Sequence, residues 1–228
     1  LSKIMESIIN TQLVNFFEAQ GVFSQNQFGF RSKLGTSDLL AALHYEWITT
    51  LNAGGCVRIL AVDIAGAFDK VSHRGLLHKA EAYGVSGPLL AWLRDYLSDR
   101  RLAAVVGGHA SAERAIDAGV PQGSVLGPTL FLLYVNDLED FLPAGVHLAV
   151  YADDTTLYVT IESMESVASS SATLQSAVDV LEQWGRDWFI TFEPTKSQCL
   201  TLTRKRTDWQ IPAIIFGGAA VAEVDEIK

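Results

Sequence analysis

The sequence predicts an α+β protein, an antiparallel sheet backed by helices. Apolar residues recur at helical spacing in several segments, and short β-branched runs bounded by turn residues lie between them. At least two of these runs fold back across tight turns, which favours hairpins over parallel crossovers. With 228 residues, of which 49% are hydrophobic and 19% charged, the chain is globular in composition and long enough for one large domain or two modest ones. It has no internal repeat, low-complexity tract or linker, so no domain boundary stands out.

Leu1, Ile4, Met5, Ile8, Ile9, Leu13, Phe16 and Phe17 make Leu1 to Gln20 an amphipathic helix stopped by Gly21. After the loop SQNQFGFRSKLG, Thr36 or Ser37 caps a second helix with Leu39, Leu40, Leu43 and Trp47 on one side. CVRILAVDI reads as a buried strand. A short helix, Leu76 to Tyr83, precedes another opened by Ser86 and Pro88. LAAVVGGHASAERAI suggests a small hairpin, and the Gly/Pro loop in DAGVPQGS leads into a long helix through FLLYVNDLEDFL. Strand, turn and strand follow around YADD. Leu174, Val178, Leu181, Trp184 and Trp188 mark a further helix, with CLTLT and AIIFG as closing strands.

No apolar run approaches the roughly 20 residues needed to cross a bilayer, and no basic-then-apolar leader opens the chain. Cys56 and Cys199 lie far apart without metal-ligand spacing, which fits a reducing intracellular compartment, nucleus or cytoplasm. A formal net charge of −9 argues, taken alone, against a nucleic-acid partner. The start at Leu1 within a helical pattern and the end at VAEVDEIK suggest a fragment, truncated at both ends.

The stretch HLAVYADDTTLYVT, His147 to Thr160, places two aspartates between apolar runs. Strand side chains alternate between faces, so Asp153 and Asp154 approach one point only if the chain turns there, which small Ala152 permits. Adjacent carboxylates repel, and a bound divalent cation resolves the conflict. Asp63, at the end of RILAV, is a third candidate. Such an oxygen-only set suits Mg²⁺, and two such ions about 3.5–4 Å apart serve phosphoryl and nucleotidyl transfer. On these residues alone a solvated DD turn and a helix-capping Asp63 remain open readings.

Five blocks occur in order: QFGFRSKLGTSDLL, VRILAVDIAGAFDKVSH, GVPQGSVLGPTLFLLYVNDL, VYADDTTLY and WGRDWFITFEPTKSQCLTLT. Together they resemble the reverse transcriptases of non-LTR (LINE-like) retrotransposons over nearly the whole chain. YADD alone is weak evidence, but five ordered blocks at compatible spacing are specific. The resemblance implies a polymerase right-hand palm, an RRM-like antiparallel sheet backed by helices, with partial fingers. Residues 1–55 would be fingers and 56–228 mostly palm. It also implies an RNA template, a DNA primer and deoxynucleoside triphosphates as partners, no membrane, and thumb and endonuclease regions lying outside this chain.

Carried over by position, Asp63, Asp153 and Asp154 would be metal ligands, with the Ile64 carbonyl adding an oxygen, for two Mg²⁺ ions or Mn²⁺ in their place. Phe68, five residues past Asp63, matches the steric gate that selects deoxynucleotides; by itself it reads as a core aromatic. Gln122 matches a contact to nucleotide and template, and Gly123 lets backbone approach nucleic acid; by themselves they form a loop before the cap Ser124. Tyr151 would lie near the primer end, Lys196 would protonate the leaving pyrophosphate, and Lys3 would meet the triphosphate. Arg31, with Lys33, would touch template phosphate. Each of these also suits an ordinary strand or surface position. Asp69 reads as structural, and Arg204, Lys205 and Arg206 as a solvated hairpin tip. Gly66 departs from the family, which often has a basic residue there.

Much of the phosphate grip would then come from thumb and flanking segments, so an acidic palm alone should hold duplex weakly. The resemblance favours RNA-directed DNA polymerase activity carried by Asp63, Asp153, Asp154 and Lys196. Two rivals are an RNA-dependent RNA polymerase and a catalytically silent remnant acting as a nucleic-acid-binding or interaction module. Phe68, Gln122 and Ala152 favour DNA synthesis.

Overall fold

The structure is a computed structural model that describes residues 1–204 and 211–226. Lys205 and Arg206 lie outside the described residues, while Arg204 donates to Asn52 Oδ1. In chain order the elements are α1 (Ser2–Ala19), α2 (Thr36–Asn52), β1 (Cys56–Val62), α3 (His73–Ala82), α4 (Gly87–Leu97), β2 (Arg101–Leu102), β3 (Val105–Val106), β4 (His109–Ala110) and β5 (Arg114–Ala115). They continue with α5 (Gly127–Val135), α6 (Leu138–Phe141), β6 (His147–Tyr151), β7 (Asp154–Ile161), α7 (Val167–Trp188), β8 (Gln198–Thr203), β9 (Ile215–Phe216), β10 (Ala219–Ala220) and β11 (Ala222–Glu223). The chain packs as two units. One comprises Leu1–Phe23 and Gly66–Asn136, the other Ser24–Ala65 and Asp137 onward. None of the described helices is long and apolar enough to cross a membrane.

The second unit holds a five-stranded sheet in the order β11-β8-β1-β7-β6. Its central strand, β1, is the CVRILAV run, buried along nearly its whole length because helices cover both faces. Val57 and Ile59 join Ala149 and Tyr158 on one face, where Leu39, Leu43 and Trp47 of α2 pack. Alternation sends Leu157, Val159 and Ile161 to the opposite face. There α7 packs on β7, with Leu174, Val178 and Leu181 buried. Leu40 is 63% exposed and stands off the apolar face expected of it. The α2 N-cap is Gly35, not Thr36 or Ser37, because the Asp38 carboxylate accepts the Gly35 N–H at 2.8 Å.

The sheet closes differently from expectation. The AIIFG segment supplies β9, which among the described residues pairs with β10 in a separate two-stranded ribbon. The closing strand is β11, parallel to β8. It is held by Glu223, whose carboxylate meets buried Arg58 of β1 at 2.5 Å and accepts from Thr201 Oγ1 at 3.2 Å.

In the first unit α3 packs against α4 and α5. The α5 stretch Thr129 to Tyr134 is almost wholly buried, consistent with its apolar run. The Lys79 ammonium, buried in α3, donates to the Tyr134 carbonyl. Buried Glu6 of α1 accepts from the Val125 N–H at 2.9 Å, just before α5. The long helix expected here stops at Val135; Asn136 turns its side-chain amide to the Val22 carbonyl at 2.7 Å. The expected hairpin forms as β3 and β4, joined across Gly107–Gly108.

Candidate active site

Register places the acidic residues. β1 and β7 run antiparallel with Val62 opposite Thr155, so one step outward brings Asp63 opposite Asp154. Opposed residues on antiparallel strands project to the same face, with Cβ atoms about 4.5–5.5 Å apart. Both aspartates line one cavity of about 300 Å³, together with Thr156 and Lys196. The Lys196 ammonium donates to Asp63 Oδ2 at 3.1 Å. Lys196 is brought there by Phe192, buried and bridged to Ile64, and by a turn in which the Lys196 N–H donates to the Glu193 carbonyl.

That bridge also orients the Ile64 carbonyl. The neighbouring bonds run from Ala65 N–H to the Thr191 carbonyl and from Glu193 N–H to the Asp63 carbonyl. In this antiparallel pattern the polar groups of Ile64 point away from the Thr191–Glu193 segment.

The YADD hairpin turns in two residues. Tyr151 pairs with Asp154, which leaves Ala152 and Asp153 as the loop. Ala152 has φ +62° and is buried. Asp153 stands at the tip, half-buried, and is not among the residues lining the cavity. Asp154 is exposed, yet its carboxyl is held above the ordinary carboxylate value, by partial burial first and then by the charges of Asp153 and Asp63. A cation relieves that repulsion, and the donors are all hard oxygens, so the chemistry of the set fits Mg²⁺. Among the described residues, however, no three His, Cys, Asp or Glu side chains already converge as a metal-holding group. Asp63 is engaged by the lysine instead.

One participant was not singled out from sequence. Gln27, 5% exposed, receives the N–H groups of Gly29 and Ala152 on Oε1 at 2.8 and 2.9 Å, and donates Nε2 to the Ala152 carbonyl at 3.2 Å. Its signal was the glycine inside QFGF. A Cβ on Gly29 would lie 2.2 Å from Ala152 N, so only glycine fits there. Nearby, the Arg31 guanidinium donates to the Ser24 carbonyl at 2.7 Å, which ties the loop to itself.

In the other unit Phe68 is half-buried and stacks on Phe131, centroids 4.6 Å apart. Gln122 is exposed, and its amide donates to Asp69 Oδ1 at 2.9 Å. Gly119, at φ +93°, lets this loop lie against Asp69, whose carbonyl would be 3.1 Å from an added Cβ. Gly123 is exposed at φ +78°, and Lys3 is exposed on α1. The structure thus groups Asp63, Asp153, Asp154 and Lys196 in one unit, and Phe68, Asp69 and Gln122 in the other.

A family model described as reverse transcriptase (RNA-dependent DNA polymerase) matches residues 1–222. The RNA-directed DNA polymerase from mobile element jockey of Drosophila melanogaster is 30% identical over 227 residues, 97% of this chain and 24% of that protein. The probable RNA-directed DNA polymerase from transposon X-element of the same species is 33% identical over 210 residues, 90% of this chain and 23% of that protein. The chain therefore spans about a quarter of the length of these curated relatives. Among solved structures, apo telomerase from Candida tropicalis, truncated from its C-terminal domain, aligns with a TM-score of 0.63 at 10% identity, covering 91% of this chain and 42% of that one. Telomerase from Candida albicans in complex with a fragment of telomeric RNA aligns with a TM-score of 0.60 at 16% identity, over 95% and 37%. At such identities these two structures establish a shared fold.

Proposed function

Because this chain belongs to the reverse transcriptase (RNA-dependent DNA polymerase) family, we propose that it is the polymerase core of a non-LTR retrotransposon protein, extending a DNA primer on an RNA template with deoxynucleoside triphosphates. In this reading residues 1–55 are partial fingers and 56–228 mostly palm. The observation that carries it is the opposition of Asp63 and Asp154 at the ends of neighbouring strands, beside Lys196 and one residue from Asp153.

Asp63, Asp153 and Asp154, with the Ile64 carbonyl, would hold two Mg²⁺ ions, or Mn²⁺ in their place. When bound, these supply charge neutralisation and activation of the primer 3′-OH. The protein's own part is positioning. Lys196 gives up Asp63 when the carboxylate is recruited and then stands free to donate a proton to departing pyrophosphate. Tyr151, at the end of β6, flanks the primer terminus. Phe68 crowds a ribose 2′-OH and Gln122 contacts the nucleotide, with Gly123, Arg31 and Lys3 as weaker phosphate or nucleic-acid contacts.

The test is Mg²⁺-dependent primer extension by the full-length protein. D154N and D63N should each reduce extension to background while circular dichroism is unchanged, and D154N that still extends would overturn the site. The rival reading is a catalytically silent remnant. Extension by the unaltered protein excludes it.

A further inference from the structure

We infer that Gln27 is a positioning residue: its side-chain amide clamps the left-handed Ala152 and so sets the direction in which the hairpin presents Asp153 and Asp154. The clamp deepens the polymerase reading and rests on it for its catalytic consequence.

The turn itself poses the problem. A two-residue hairpin loop whose first residue has positive φ ordinarily takes glycine there, and this loop has alanine at φ +62°. Loop N–H and C=O groups are ordinarily satisfied by water, but Ala152 is buried. Both of its backbone groups therefore need protein partners, one an acceptor and one a donor. A carboxamide offers both within one planar group. Gln27 supplies them, and its Oε1 must be the atom facing the N–H groups because two donors converge on it. The reach is fixed by main chain. Val150 N–H donates to the Asn26 carbonyl at 2.8 Å and Phe28 N–H to the Val150 carbonyl at 2.9 Å, so the QFGF segment runs as a short parallel bridge beside β6. Gly29 then closes over the turn at a distance no side chain tolerates. Support thus comes from outside the hairpin, on the residue that immediately precedes the two aspartates.

The experiment compares Q27M, near-isosteric but without donor or acceptor, with Q27M/A152G in the full-length protein. Glycine takes positive φ without external support, so the second change should make the clamp dispensable. Q27M is expected to lower kcat for extension about ten- to a hundredfold, the scale of a misplaced catalytic group, with KM for the nucleotide unchanged within about twofold. Q27M/A152G should recover most of kcat. A purely structural glutamine would not be rescued by glycine at another residue. An unchanged kcat in Q27M, or no recovery in the double variant, overturns the inference. Should Q27M not fold, Q27E keeps the acceptor and lacks the donor; a smaller loss with the same rescue supports the clamp, and no rescue overturns it. If the unaltered protein does not extend primers, the polymerase reading fails instead. Hydrogen exchange at the Ala152 amide then decides the clamp: protection lost in Q27M supports it, and protection kept overturns it.

Discussion

The Lys196 ammonium lies 3.1 Å from Asp63 Oδ2, and both side chains are substantially open to solvent. Exposed pairs of this kind contribute about 0–1 kcal/mol, so the contact is a poor structural clasp and an easily surrendered one. K196M should therefore cost the fold no more than about 1 kcal/mol in urea denaturation. In single-turnover extension by the full-length protein it should slow nucleotide transfer about 10²–10⁴-fold, the range for losing a positioned general acid. A normal rate in K196M would leave the lysine a surface residue.

Asp154 supports a pH prediction of unusual sign. Its folded carboxyl titrates above the ordinary value of 3.8, because of partial burial and then the Asp153 and Asp63 charges. The folded state binds more protons than the unfolded state in the window above 3.8, so stability falls as pH rises through it and stays lower beyond. D154N removes this cost. Without divalent cations, the 228-residue chain should melt at higher temperature near neutral pH as D154N than unaltered, and the difference should vanish in acid. Mg²⁺ should narrow the gap by stabilising only the unaltered site. A D154N chain less stable than the original at neutral pH would contradict the repulsion.

The elements legible in the sequence were those whose patterns are local. β1 announces itself by a short apolar run interrupted at Arg58, α7 by Leu174, Val178 and Leu181 at helical spacing, and the hairpin by a small residue before two aspartates. What escaped depends on partners remote in the chain. β11 is two residues long and is specified by Glu223 reaching Arg58, 165 positions away, which no window around Ala222 reveals. The work of Gln27 is set by its bridge to Val150. The cap at Gly35 was missed because the bond runs backward from the Asp38 side chain to a glycine N–H. The site was legible through motif order, whereas the opposition of Asp63 and Asp154 required the strand register.

The Gln122 amide donates to Asp69 Oδ1, which gives the structural reading of Asp69 a specific task. If Gln122 meets the nucleotide, Asp69 holds it ready. D69A should raise KM for the nucleotide by about tenfold, as expected for a lost hydrogen bond to a charged group. Q122A should do the same, and D69A/Q122A should be no worse than Q122A, because the two act through one contact. Steady-state incorporation with the unaltered protein, the two single variants and the double variant checks this. Additive losses would separate Asp69 from Gln122.

Arg58 is a buried cation in the middle of the sheet, 2% exposed, paired with Glu223 at 2.5 Å and bonded to Thr201 Oγ1 at 2.7 Å. Its Nε finds no hydrogen-bond partner among the described residues. Desolvating such a group is only partly offset by one half-exposed carboxylate, so an apolar replacement of similar length should be tolerated. R58M is expected to change unfolding free energy by no more than about 1 kcal/mol, since loss of the pair is matched by relief of desolvation. E223A, in contrast, strands the guanidinium and should cost toward the low end of about 3–5 kcal/mol, the remaining bond to Thr201 softening the loss. R58M/E223A should then be more stable than E223A alone, because the stranded charge is gone. Urea denaturation of the four proteins reads the order directly. If R58M is the more damaging single change, the cation is stabilising the sheet on its own account and β11 is held by something other than Glu223.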